Sequence, residues 1–165
     1  IVPLAISYEY DPCDFLKAQE YQLRRDNPNW KKGPFDDVVS MRTGILGLKG
    51  KIHYHVAACI DDYLKGLREQ KLNKADLLDV ICGHIDHEIH RNYRLYPNNY
   101  IAMDELDGTD HTDHYTEDDV RRFKLYIQSQ MAKIQIPNKD EEFLRERLLT
   151  MYANPARNYI EATRE

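Results

Sequence analysis

Cysteine is scarce in this 165-residue chain: only Cys13, Cys59 and Cys82, with no CxxC spacing. Three scattered thiols argue against a disulfide framework and a cysteine-built zinc site, and for a reducing compartment. Long apolar runs are missing too. No stretch approaches the roughly 18 apolar residues a bilayer span requires, and none has the layout of a signal peptide. A basic excess is also absent, since 23 Lys and Arg stand against 28 Asp and Glu, for a formal net charge of −5. Nucleic-acid binding leaves a strongly basic footprint, so no nucleic-acid partner is expected. Nor is there a GxSxG elbow, a glycine-rich phosphate loop or an HExxH pair, and no cofactor is implied.

What is present suits a soluble protein of roughly one domain, with 42% apolar and 31% charged residues. The charge is unevenly placed. Ile1 to Met103 holds 14 basic and 14 acidic residues, while Asp104 to Glu165 holds 9 and 14, which accounts for the whole deficit. That acidic part is disfavoured as a face toward anionic lipid.

The opening run from Ile1 to Ser7 (IVPLAIS) is apolar without interruption. Such runs predict a strand buried on both faces, as inside a parallel sheet. Only one other strand candidate follows, Gly50 to Ala58. It alternates cleanly, with Ile52, Tyr54 and Val56 on one face and His53 and His55 on the other. The expectation is therefore the back part of a larger protein, entered in mid-sheet.

Helices fill the rest. Asp11, Pro12 and Asp14 predict a start, with Phe15, Gln19 and Leu23 carried to a stop near Asn27 and Pro28. Phe35 to Leu46 reads as a weaker helix and Asp61 to Gln70 as a short one. Asn73 to Tyr93 has the best helical period, with Leu77, Leu78, Ile81, Cys82, Ile85 and Ile89 in one stripe. Pro97 to Asn99 is expected to break it, and Asp104 to Asp119, with eight acids and no lysine or arginine, to be a solvated connector. Thr116 and Asp119 resemble a capping box before a helix through Val120, Phe123, Ile127, Met131 and Ile134. A last helix is expected from Pro137 and Asn138 to Pro155. The fold class is α+β and mostly helical: an α/β front over residues 1–70 and a helical extension over 71–165.

Three groups invite a functional reading. His84, His87 and His90 have metal-like H-x2-H-x2-H spacing, but successive members turn about 60° round a helix and converge poorly. No metal is expected there. Asp107, Asp110, His111, Asp113 and His114 fail the calcium-loop pattern and read as a charged surface loop. Arg24, Arg25, Trp30, Lys31 and Lys32, with Lys49 and Lys51, form a basic segment suited to phosphate headgroups, with Trp30 at the interface.

These residues carry a resemblance. Ile1 to Ser7 resembles the V-P-type strand of the fourth conserved block in the glycerolipid acyltransferase family. Gly50 to Ile60 is similar to the alternating strand that follows it, although Ala57 and Cys59 stand where glycine and proline are usual. Ile6 to Asp14 and Ile89 to Ile101 look like a bacterial subgroup with long C-terminal regions. The family match covers about the first 60 residues, and the subgroup match reaches about Leu106.

The resemblance implies fatty acyl transfer from a thioester carrier, coenzyme A or acyl carrier protein, to the hydroxyl of a glycerol phosphate or lysophospholipid, in phospholipid synthesis. Its catalytic histidine, four residues before an aspartate, and its phosphate-binding block precede the V-P strand. Both should lie before Ile1, so no catalytic residue is assigned and the chain alone is expected to be inactive. His114 and Asp119 reproduce the histidine-x4-aspartate spacing in the wrong order, at a frequency chance supplies in a chain with seven histidines. The resemblance further implies a cytoplasmic protein in peripheral contact with the inner face of the membrane, while the unpaired opening strand predicts a homo-oligomer. The rival readings are a non-catalytic helical interaction or oligomerisation module, and a metal-dependent hydrolase on the His84 and His111 clusters.

Overall fold

A computed structural model describes residues 1–164. Two strands, β1 (Leu4–Tyr8) and β2 (Ile52–Val56), pair with each other. Seven α-helices occupy much of the remainder: α1 (Asp14–Asp26), α2 (Asp36–Leu46), α3 (Asp61–Leu67), α4 (Lys74–His90), α5 (Pro97–Asp107), α6 (Glu117–Lys133) and α7 (Glu141–Thr163). The α+β, mostly helical class expected from the sequence is the class observed.

The chain divides into two compact units. The first gathers Ile1–Ser7, Ile52–Arg94 and the chain end from Arg157; the second gathers Tyr8–Lys51 and Leu95–Ala156.

In the first unit the amide of Ala57 donates to the Pro3 carbonyl and that of Ile60 to the Ile1 carbonyl, both at 3.0 Å. As one partner index rises the other falls, so the ladder is antiparallel. The expected parallel strand, buried on both faces, is not what forms. An antiparallel pair can leave one face open, and β1 alternates buried and exposed along its length. The ladder sets Leu4 opposite Val56, Ile6 opposite Tyr54, Ala5 opposite His55 and Ser7 opposite His53. Ala5 and Ser7 are buried, the two histidines are half-buried, and Ser7 Oγ accepts from the Arg94 amide at 2.9 Å. The remaining core of this unit is thin. Among its described residues only Pro3, Ala5, Ser7, Ile60 and Leu67 are buried, and α4 buries none of its side chains. Asn73 caps α4 by accepting from the amides of Ala75 and Asp76.

The second unit has a full core. Its buried apolar side chains include Ile101 and Met103 from α5, Phe123 and Ile127 from α6, and Leu144, Leu148, Leu149 and Tyr152 from α7. Helix α5 was not expected. Pro97 stands at its first position, where a missing N–H costs nothing, instead of acting as a breaker. Asn99 Oδ1 accepts from the Tyr96 amide at 2.8 Å, which secures that start. Helix α6 begins at the expected capping box, with Thr116 Oγ1 accepting from the Asp119 amide and Asp119 Oδ2 accepting from the Thr116 amide.

Helix α1 buries Asp14, Ala18 and Gln22, while Phe15, Gln19 and Leu23 stay half-buried. One further expectation is corrected. Helix α7 continues past Pro155. Asn99 Nδ2 donates to the Tyr152 carbonyl at 2.9 Å, supplying an outside donor in the turn that the proline weakens.

Candidate functional site

Alternation along β1 and β2 usually turns the apolar face inward. Here the reverse holds. Leu4, Ile6, Ile52, Tyr54 and Val56 are all exposed, with Val56 at 67% and Tyr54 at 58%, whereas the face with Ala5, Ser7, His53 and His55 packs inward. Leu4–Val56 and Ile6–Tyr54 are non-hydrogen-bonded pairs, the kind whose side chains approach most closely, so each makes one continuous apolar knob. Nothing among the described residues covers this face. Fully burying a side chain of this size stabilises by about 1.5–3 kcal/mol, so the sheet forgoes much of what its sequence offers. It is the most prominent candidate surface in the first unit.

The basic segment lies in the second unit, and three of its six charges are already in ion pairs. Arg24 bridges to Glu20 at 2.7 Å and lies 5.9 Å over the Trp30 ring. Arg25 bridges to Asp26 and Asp140, both at 2.8 Å, and its guanidinium stacks 4.2 Å over Phe143. Lys32 bridges to Glu20 and Asp37. A small cavity of about 80 Å³ lies beside Trp30 and Lys32, lined also by Leu16, Glu20 and Val39. Lys31 has no ion-pair partner among the described residues. Arg24 and Lys32 thus meet on Glu20 beside Trp30, while Arg25 is engaged by Asp26, Asp140 and Phe143.

The histidine clusters separate. His84 stacks on Tyr63 with ring centroids 3.9 Å apart, and His90 tilts against Tyr93 at 5.5 Å. Among the described residues no three His, Cys, Asp or Glu side chains come together as a metal site. His114 stacks on Tyr100 at 4.1 Å, while Asp119 is occupied by Thr116 and Arg122, so the spacing-based pair does not meet.

A different carboxylate–imidazole pair does form. His111 Nδ1 lies 2.6 Å from Asp104 Oδ1. The same carboxylate accepts from Thr109 Oγ1, the His111 amide and Tyr115 OH. Partial burial opposes its charge, but hydrogen bonds from His111, Thr109 and Tyr115 outweigh that and hold its pKa below the ordinary carboxylate value. The Tyr115 phenol is pushed up to about 12, by desolvation first and then by the Asp104 contact. Every lone pair of Asp104 is thus committed to closing the loop after α5. The sequence placed Asp104 in a solvated connector, and no spacing rule links it to His111.

Asp14 is fully buried. Its Oδ2 accepts from Tyr126 OH and Tyr152 OH, both at 2.7 Å, and its Oδ1 from the Phe15 amide at 2.6 Å. Desolvation raises its pKa despite these three donors. The two phenols lie 3.0 Å apart, and Tyr152 also accepts from the Asp11 amide at 3.1 Å. This network ties α1, α6 and α7 together.

No family model matches the chain, and neither a curated protein nor a solved structure matches it. No helix is long and apolar enough to cross a membrane among the described residues.

Proposed function

We propose that this chain is the C-terminal part of a glycerolipid acyltransferase, whose activity is fatty acyl transfer from a thioester carrier to a glycerol-phosphate or lysophospholipid hydroxyl. One observation carries the reading: the V-P-type strand and the alternating strand are direct neighbours in an antiparallel ladder whose apolar face is uncovered. Strands of that character belong to a larger sheet packed under further structure. The first unit, with five buried residues, has too little core to account for so much apolar sequence. In this reading the remainder of the acyltransferase core covers Leu4, Ile6, Ile52, Tyr54 and Val56. Coenzyme A or acyl carrier protein delivers the acyl group, and the histidine and aspartate that activate the acceptor hydroxyl belong to that remainder.

The test is acyl transfer from an acyl thioester to lysophosphatidic acid, by the 165-residue chain and by the longer protein in which it lies. The reading expects turnover from the longer protein only, lost when the histidine of its upstream histidine-x4-aspartate block becomes alanine. Turnover by the chain alone, or a longer protein without such a block, overturns it. A second reading rests on the same open face: a non-catalytic module that closes this face on another copy of itself. Its signature would be a stable oligomer from a longer protein that transfers no acyl group.

A further inference from the structure

The joint between α1, α6 and α7 is made with two phenols and one carboxylate, where apolar side chains of the same shape would avoid the desolvation that Asp14 carries. The arrangement is that of a phenol beside a proton acceptor. Tyr126 OH and Tyr152 OH each lie 2.7 Å from Asp14 Oδ2, within the reach a proton transfer needs. The Phe15 amide on Oδ1 holds the carboxylate in place. A third tyrosine leads outward. The half-buried Tyr10 ring lies 4.3 Å from that of Tyr126, centroid to centroid, and Tyr126 lies 6.0 Å from Tyr152. The three rings thus form a chain that ends at Tyr152, which is 4% exposed.

We propose that this tyrosine chain is a one-electron redox site, in which a diffusible oxidant such as an oxygen-centred radical draws an electron through Tyr10 and the deficit comes to rest on Tyr126. The oxidant is reduced to its anion. Tyr126 loses one electron, and its phenolic proton passes along the existing hydrogen bond to Asp14 Oδ2. The products are a neutral phenoxyl and a neutral carboxyl, whose O–H then donates back to the phenoxyl oxygen. An oxidised phenol is a strong acid that must release its proton, and a base already in hydrogen-bond contact takes it without reorganisation. A reductant of the ascorbate class returns the electron, and the proton goes back to Tyr126. A tyrosine such as Tyr21, 56% exposed, has its ring open to other radicals, so its oxidised form is short-lived. This inference rests on the second unit alone and does not need acyl transfer.

Flash photolysis of the 165-residue chain with ruthenium tris-bipyridine, whose trivalent form is a one-electron oxidant, tests it. The neutral phenoxyl absorption should decay in two phases, a fast one from exposed tyrosines and one at least about tenfold slower from the Asp14 site. Tyr126→Phe should abolish the slow phase. Asp14→Asn, with unchanged far-UV circular dichroism, should cut its amplitude about tenfold. Tyr10→Phe should slow its formation, and Tyr21→Phe should leave it as in the parent chain. If the asparagine variant does not fold, heavy water reads the same proton step in the parent chain, where the slow phase should form more slowly than in light water. Ascorbate should remove the slow phase and restore its full amplitude on a second flash. The proposal is overturned by a single fast decay, or by a slow phase that survives Tyr126→Phe or forms equally fast in Tyr10→Phe. It is equally overturned by parent amplitude in a folded Asp14→Asn variant, or by equal rates of formation in light and heavy water.

Discussion

Leu4 and Val56 stand directly opposite each other in the β1–β2 ladder, and both side chains face outward, 43% and 67% exposed. A pair of this kind is normally the seam of a core. Here it is an open apolar surface, and Ile6 with Tyr54 repeats it two residues along.

Self-association is the first expected consequence for the isolated chain. The open face and the unpaired outer edges of a two-stranded sheet both invite a second copy. Sedimentation at tens of micromolar should show a dimer or larger species. Ile6→Lys combined with Tyr54→Lys should return it to a monomer with its helical content intact. A monodisperse monomer without those changes would count against the covered-face account.

The Asp14 network should matter for stability and not for ligand binding. Tyr152→Phe removes the hydroxyl that donates to the buried Asp14 and accepts from the part-buried Asp11 amide, leaving that N–H without its partner. The expected loss is about 1–3 kcal/mol in urea unfolding. Tyr126→Phe should cost less, because Tyr152 still serves the carboxylate. A loss below about 0.5 kcal/mol for Tyr152→Phe would show that the network contributes no net stability.

The two carboxylates give opposite pH dependences. Asp14 has a raised folded pKa, so the folded state holds its proton when the unfolded chain has released one. Its contribution is therefore greatest below the unfolded value near 3.8 and falls as pH rises through the folded one. Asp104 has a depressed pKa. Its contribution is present above the unfolded value and is lost as pH falls through the folded one. In urea titrations at a series of acidic to neutral pH values, Asp14→Asn should flatten the decline toward neutral pH, and Asp104→Asn the decline toward strong acid. Curves that keep the parent shape in both variants would contradict these assignments.

Much of the fold was legible in the sequence because local chemistry decided it. Strict alternation marked β2, Asn73 marked the start of α4, and Thr116 with Asp119 marked the start of α6. Where one residue type serves two purposes, the sequence misleads. Pro97 could break a helix or begin one, and the Asn99 side chain that settles it is itself held by α7. Pro155 stands inside α7, and the same Asn99 donates to the Tyr152 carbonyl in the turn before it. The period of β2 shows two faces but not which one turns inward, and the apolar one does not. The Asp104–His111 pair spans a turn whose geometry no spacing rule encodes. The basic segment was visible by composition, yet the acids Glu20, Asp37 and Asp140 that neutralise Arg24, Arg25 and Lys32 come from elsewhere in its unit.

The accessibility of Tyr54 tests the central claim most directly. Tyr54 is 58% exposed on the open face of β2, so tyrosine-directed labelling followed by peptide mass analysis should modify it readily in the isolated chain diluted to a monomer. In the longer acyltransferase proposed above, where the rest of the sheet domain covers this face, labelling of Tyr54 should drop at least about tenfold, while Tyr21, exposed on α1, keeps its reactivity. Equal labelling of Tyr54 in both proteins would contradict the account.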